Sequence, residues 1–161
     1  MRPRYPLFAA ISIIGILIDQ ITKIAVDRSM PLFDSIPVVE NFFHITYVRN
    51  KGAAFSFLSN ASWRLPFFIT ISLIAALVIL IAFHRLRDDQ RLAHTSLAMI
   101  FSGAVGNLID RIRLGEVIDF LDVHWYRHHW PAFNVADSLI CVGVFLLAID
   151  IILEEKRLKK S

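Results

Sequence analysis

A chain of 161 residues that is 56% hydrophobic and only 19% charged, with a mean hydropathy of +0.58, is more apolar than soluble domains, which run at about 45–50% apolar and about 25% charged. A formal net charge of +3 offers no large basic field for nucleic acid, and a lone cysteine, Cys141, excludes an intrachain disulfide framework. The distribution then decides the class: the apolar residues are gathered into blocks of the roughly 20 residues that cross about 30 Å of hydrocarbon as a helix.

The first block covers roughly residues 7–26, behind Arg2 and Arg4. That start looks like a secretory signal peptide, but no small-residue cleavage site follows, only Asp19-Gln20-Ile21-Thr22-Lys23, so an uncleaved first helix is expected. The connection over residues 27–64 shows strand-like alternation at residues 42–48 and a turn at Asn50-Lys51-Gly52. An isolated hairpin is marginal in water, so this piece is expected to lie on the membrane surface against the helices. The second block, residues 65–83, has Pro66 near its start, where a missing N–H does little harm. The third, residues 92–112, contains Gly103, Gly106, Asn107, Asp110 and Arg111, so its second half must face protein or water. A shorter connection, residues 113–132, holds Glu116, Asp119, Asp122, His124, His128 and His129. The fourth block, residues 133–153, opens with Asn134 and Asp137. Trp63, Trp125 and Trp130 all fall outside the blocks, as an interfacial aromatic belt requires. With no repeat, low-complexity stretch or linker, residues 1–161 read as one domain: an all-α membrane protein of four transmembrane helices plus a small β-containing segment on the membrane surface.

Basic residues set the orientation. Arg2 and Arg4, then Arg85, Arg87 and Arg91, then Lys156, Arg157, Lys159 and Lys160 fall in the three segments that four spans put on one side. Both termini are therefore expected in the cytoplasm, with residues 27–64 and 113–132 facing outward. This gathers Asp19, Asn50, Asn107, Asp110, Arg111, Asp119, Asn134 and Asp137 at one depth near the outer surface. Helical steps of three and four put Gly103, Asn107 and Asp110 or Arg111 on one face, and likewise Asn134, Asp137, Ser138 and Cys141. Gly103 and Gly106 allow another helix to approach closely. Ionisable groups within a membrane are costly, face the bundle interior or a wet cavity, and by default mark function.

Asp119 and Asp137 form the candidate catalytic pair. Two facing carboxylates that share a proton supply both the base and the acid for hydrolysis by an activated water, because like charges a few ångströms apart do not easily both ionise. Spacing alone leaves other roles open. Each aspartate could cap a helix or pair with an arginine, and Asp19 and Lys23, four apart, could form a plain ion pair. Asp110 and Arg111 could pair with loop charges, and Arg111 could snorkel to the interface. Asn134 could only cap the fourth helix, Asn50-Lys51-Gly52 could be only a turn, and Asn107 could join two helices. His124 and His128 are four apart, a spacing seen in zinc sites, but without the His-Glu pattern of a zinc protease no metal is expected. Cys141 reads as packing, Asp150 as snorkelling or paired with the basic tail, and Glu116 and Asp122 as solvated.

Five segments in order carry more than any one alone: Asp19-Gln20-Ile21-Thr22-Lys23, Arg49-Asn50-Lys51-Gly52-Ala53-Ala54-Phe55, residues 102–111 (SGAVGNLIDR), Val117-Ile118-Asp119-Phe120-Leu121-Asp122, and Pro131-Ala132-Phe133-Asn134-Val135-Ala136-Asp137. Together, over nearly the whole chain, they resemble the bacterial lipoprotein signal peptidases, or signal peptidase II family. The one departure is Ser102, where the family often has glycine. The resemblance implies an aspartic endopeptidase of the inner membrane that removes the signal peptide from prolipoproteins whose cysteine carries a diacylglyceryl group. It implies Asp119 and Asp137 as catalytic, and Asp19, Lys23, Asn50, Gly52, Asn107, Asp110, Arg111 and Asn134 as substrate-binding or site-supporting. No cofactor is implied. The expected partners are the prolipoprotein and membrane lipid, with the enzyme a monomer.

On this reading a helical substrate enters sideways between the helices, the segment at residues 42–57 covers it, and Asp119 and Asp137 hold the water. A competing reading is a small proton-coupled transporter using Asp19, Asp110, Arg111 and Asp137, but a pathway needs polar groups through the whole membrane depth, and the inner halves of the helices look nearly dry. A non-catalytic adaptor would need no paired aspartates.

Overall fold

The computed structural model describes residues 4–52 and 62–159. Ala53, Ala54 and Phe55 of the second motif, the end of the expected cover up to residue 57, and Arg2 and Lys160 of the basic clusters lie outside the described residues. The elements in chain order are α1 (Arg4–Ser29), β1 (Ser35–Val39), β2 (Phe43–Asn50), α2 (Arg64–Arg85), α3 (Arg91–Leu114), β3 (Val117–Trp125), β4 (His128–His129) and α4 (Val135–Leu158). Among the described residues these four helices are long and apolar enough to cross a membrane. The shortest has 22 residues, about 33 Å at 1.5 Å per residue. Most observed ends lie a few residues beyond the apolar blocks, because backbone hydrogen bonding continues after the side chains turn polar. The start of α4 is the exception: Phe133 and Asn134 precede the helix, and Asn134 is its N-cap.

The helices are apolar outside, and α1 and α3 also bury polar side chains. Ile13, Leu17 and Ile21 on α1, Leu73 and Leu77 on α2, and Phe145 and Ile152 on α4 are exposed, as lipid-facing residues are. Ser12, Asp19 and Lys23 on α1 and Ser96, Ser102, Asn107 and Asp110 on α3 are buried. Helix α3 is the hub, touching α1, α2, α4 and β3. A β-carbon at Gly103 would collide with the Ala136 carbonyl oxygen of α4, and one at Gly106 would lie 2.5 Å from Asp19 Oδ2. The small residues thus admit both neighbours at the level of the polar side chains. Ser102 lies against Gly15 of α1, so a small partner accommodates its extra atoms.

Two apolar clusters flank that polar level. Phe8, Ile79, Phe83, Leu97 and Ala98 join the first three helices at one end. Val26, Met30, Tyr47, Ile118 and Phe120 seat the sheet on α1 at the other. The first end is less dry than expected, since His94 is buried there against Phe83 with a ring separation of 5.4 Å.

The β structure is larger than the expected hairpin segment, so the fold is not purely helical. Both connections contribute to one antiparallel sheet in the order β1-β2-β3-β4. Residues 113–132 read as a loop in sequence because the acids Asp119 and Asp122 fall three apart and break a clean period of two. Their pairing with β2, across α2 and α3, makes them a strand: Val48 pairs with Asp119, Arg49 with Ile118 and Asn50 with Val117. The register shifts between Ile45 and Val48, the local irregularity by which a bulge re-aims side chains. Trp63, Trp125 and Trp130 are each more than half exposed.

Candidate active site

The site is built where the start of α4, the late turns of α3 and the paired strands β2 and β3 converge. Asn134 caps α4: its Oδ1 accepts from the Asp137 N–H at 3.0 Å, and Asp137 Oδ2 accepts from the Asn134 N–H at 3.3 Å. This reciprocal capping box holds the Asp137 carboxylate over the helix N-terminus, where the helix dipole favours negative charge.

Three asparagines distribute the remaining contacts. Asn107 Nδ2 donates to Asp137 Oδ1 at 2.8 Å. Asn134 Nδ2 donates to Asp119 Oδ1 at 2.7 Å and also approaches Asn107 Oδ1 and the Ile118 carbonyl, each at 3.2 Å. Asn50 Nδ2 donates to Asp119 Oδ2 at 3.0 Å, and Asn50 Oδ1 accepts from the Gly52 N–H at 2.9 Å. The Asn-Lys-Gly segment is therefore a turn and also a contact to Asp119. Asn134 likewise both caps its helix and touches the other acid.

Asp119 and Asp137 line one cavity of about 590 Å³ together with Asn50, Gly52, Asn107 and Arg111. Its other walls include Trp130, Pro131, Phe133 and Val142, an apolar lining that sequence reasoning did not assign. Asp119 is almost wholly buried. Burial first, and then the charge of Asp137, push its carboxyl up to about 7, against hydrogen bonds from Asn50 and Asn134 that act the other way. A carboxyl of that pKa beside a second carboxylate holds a proton near neutrality, which equips the pair for acid and base work. Arg111, on the helix bearing Asn107, lines the cavity, and its guanidinium also lies 5.1 Å from the Phe68 ring centroid.

Behind the cavity sits a second layer. Lys23 Nζ contacts Asp19 Oδ2, Asp110 Oδ2 and Asn107 Oδ1, each at 2.9 Å. Asp19 Oδ1 accepts from the Ala136 N–H at 2.8 Å, and Asp110 Oδ2 from the Ile118 N–H at 3.2 Å. One buried lysine and two buried acids thereby tie α1, α3, the first turn of α4 and the start of β3 together. Asp19, Lys23 and Asp110 are not among the cavity's lining residues. Gln20, whose role sequence reasoning missed, donates to Asp19, Asp110 and the Gly106 carbonyl at 3.1–3.2 Å. Its only signal was an amide inside an apolar block. Arg49 on β2 pairs with Asp27 at 3.0 Å, and Tyr47 donates to the same carboxylate, which anchors β2 to the end of α1.

Two expectations are corrected. Cys141 is exposed and lines the cavity: two turns into α4 it lies on the side facing the gap between helices. Asp122 is not solvated, because its side chain is only 13% exposed and His129 Nδ1 contacts both its oxygens at 2.9 and 3.0 Å; the β3–β4 hairpin covers it. Glu116 lies 3.7 Å from Lys51. His124 and His128 sit on two paired strands and not on a helix, with His128 opposite Trp125, so their spacing of four has no helical meaning.

The family model described as signal peptidase (SPase) II matches residues 11–153. The lipoprotein signal peptidase of Geobacter metallireducens is 64% identical over 161 residues, covering 100% of this chain and 99% of that protein. Its counterpart from Geobacter sulfurreducens is 62% identical over 157 residues, 98% of each. A solved structure described as a bacterial membrane enzyme, obtained by the in meso method at 2.3 Å, superposes with a TM-score of 0.83 at 31% identity, covering 93% of this chain and 90% of that one. With four apolar helices, two aspartates on one cavity and a family match over most of its length, the chain belongs to the signal peptidase II family of aspartic peptidases.

Proposed function

We propose that this chain removes the signal peptide from diacylglyceryl-modified prolipoproteins at the outer face of the bacterial inner membrane, with Asp119 and Asp137 as the catalytic pair. The observation that carries the assignment is the shared cavity: two acids from distant parts of the sequence line it, each held by asparagines. The unprotonated carboxylate takes a proton from a water that attacks the scissile carbonyl. The protonated one, Asp119 by its raised pKa, gives its proton to the leaving amine as the C–N bond breaks. Arg111 and Asn50 orient the substrate backbone, while the apolar wall at Trp130, Phe133 and Val142 accepts lipid chains and excludes bulk water. Asp19, Lys23 and Asp110 support the site from behind, and the enzyme acts as a monomer.

A transport pathway is the poorer reading, because the ionisable residues Asp19, Lys23, Asp110 and Asp137 gather at one level while Phe8, Phe83 and Leu97 pack one end of the bundle. The test uses purified protein in detergent with a diacylated prolipoprotein, the product read by electrophoretic mobility. Wild type cleaves, and Asp119→Asn and Asp137→Asn each insert and fold but leave substrate intact. Cleavage at the wild-type rate by either variant overturns the pair.

A further inference from the structure

The sheet carries a second set of reactive side chains that the cavity does not use. His44 on β2 stands opposite Asp122 on β3, and His124 on β3 stands opposite His129 on β4. Directly paired residues of an antiparallel ladder project from the same face, as do residues two apart on a strand, so all four share one face. Asp119, an odd number of residues from Asp122, belongs to the opposite face.

These groups are close and already oriented. The His44 and His124 rings meet edge to face with centroids 4.4 Å apart, and His124 stacks on His129 at 4.4 Å. One donor atom from each of His44, Asp122 and His124 lies within 4.8 Å of the other two. His124 is 5% exposed, and its Nδ1 lies 3.0 Å from the Tyr126 carbonyl oxygen. Only an N–H can make that contact, so Nδ1 carries a proton, and in the neutral form of this tautomer Nε2 presents a lone pair. That Nε2 is buried and has no hydrogen-bond partner. A buried acceptor left unsatisfied is expensive and calls for a specific explanation. An imidazole whose Nδ1–H is bonded to a backbone carbonyl while its Nε2 lone pair stays free is the arrangement of a metal ligand. Asp122 is held from behind by His129 at 2.9 and 3.0 Å, the carboxylate-to-histidine support that orients ligating acids. His44 Nδ1 is 3.3 Å from Ser35 Oγ.

We propose that His44, Asp122 and His124 form a binding site for a divalent cation of the zinc class. Two imidazoles and one carboxylate suit zinc and its borderline neighbours, whereas magnesium and calcium take oxygen sets. Donors around tetrahedral zinc at about 2.0–2.2 Å lie roughly 3.4 Å apart, so side-chain adjustments of about an ångström close the site, with water completing the shell. The ion would bridge β2 to β3, the two strands that deliver Asn50 and Asp119, from the face opposite the cavity. His44 lies far from the other histidines in sequence, so a search for closely spaced ligands could not find this set.

The test uses full-length protein without a histidine tag, in detergent, stripped with a chelator and titrated with zinc chloride by calorimetry; cobalt(II) provides a ligand-field absorption readout. Wild type is expected to bind one zinc per chain saturably. His124→Ala and His44→Ala should each weaken binding by at least roughly 100-fold, and His129→Ala by roughly 10–100-fold as an outer-shell partner. His128→Ala, opposite Trp125, should bind as wild type does. Thermal transitions in chelator confirm that each variant is folded; should His124→Ala fail to fold, His44→Ala carries the test. Absence of saturable zinc binding by wild type, retention of full affinity in His44→Ala, or an equal loss in His128→Ala overturns the site.

Discussion

Asp119 is buried beside a second acid, far from the environment of a free carboxyl, and its proton makes the pair asymmetric. Burial and then the charge of Asp137 push its pKa up to about 7, so raising the pH through neutrality removes the proton from Asp119. Cleavage is therefore expected to decline on the alkaline side with an apparent pKa near 7, read from kcat/KM against pH; a flat profile across that range contradicts the assignment. The stability sign follows from the same shift. In the unfolded chain the carboxyl ionises near 4, while the folded chain keeps its proton to about 7, so the folded state binds more protons in that window. Stability then falls as pH rises from about 4 to about 7, and Asp119→Asn should flatten that slope in thermal unfolding. Asn134→Ala removes an N-cap, which contributes about 1 kcal/mol, and also the bond to Asp119. A lowered Tm together with a loss of cleavage larger than the stability change explains is the expected result.

At the scale of elements, the polar level between the two apolar clusters decides how the helices sit. Lys23→Met would leave the buried acids Asp19 and Asp110 without their cation. Removing one member of a buried ion set destabilises by about 3–5 kcal/mol, so denaturant unfolding should show a loss of that order. Gly106→Ala puts a β-carbon 2.5 Å from Asp19 Oδ2. Overpacking of this kind destabilises by about 1–3 kcal/mol, and because it pushes the group that holds the Ala136 N–H, cleavage should fall with the Tm. The four helices were legible in sequence, since an apolar run of about 20 residues has few other outcomes. The strand character of residues 117–125 was not, because it arises from pairing with β2, a segment on the far side of two helices in the chain.

For the whole molecule, the basic segments predict both termini in the cytoplasm. A fluorescent protein fused after Ser161 should fluoresce, and alkaline phosphatase fused there should be inactive; the reverse pattern would turn the orientation over and put the cavity on the wrong face for exported substrates.

The sequence by itself determined the number of long apolar helices and marked the polar residues that gather at one level, with Asp119 and Asp137 as the candidate pair, because hydropathy and ordered motifs are local properties of the chain. Only the tertiary structure decided which partners each polar residue touches. It separated Asn50, Asn107 and Asn134, which touch the two acids, from Asp19, Lys23 and Asp110, which brace the backbone behind them. It also turned Cys141 into a cavity wall and drew His44 to Asp122 and His124. The physical reason is common to all of these: a hydrogen bond or a donor set depends on distances across elements, and strand register and helix approach, not spacing along the chain, set those distances.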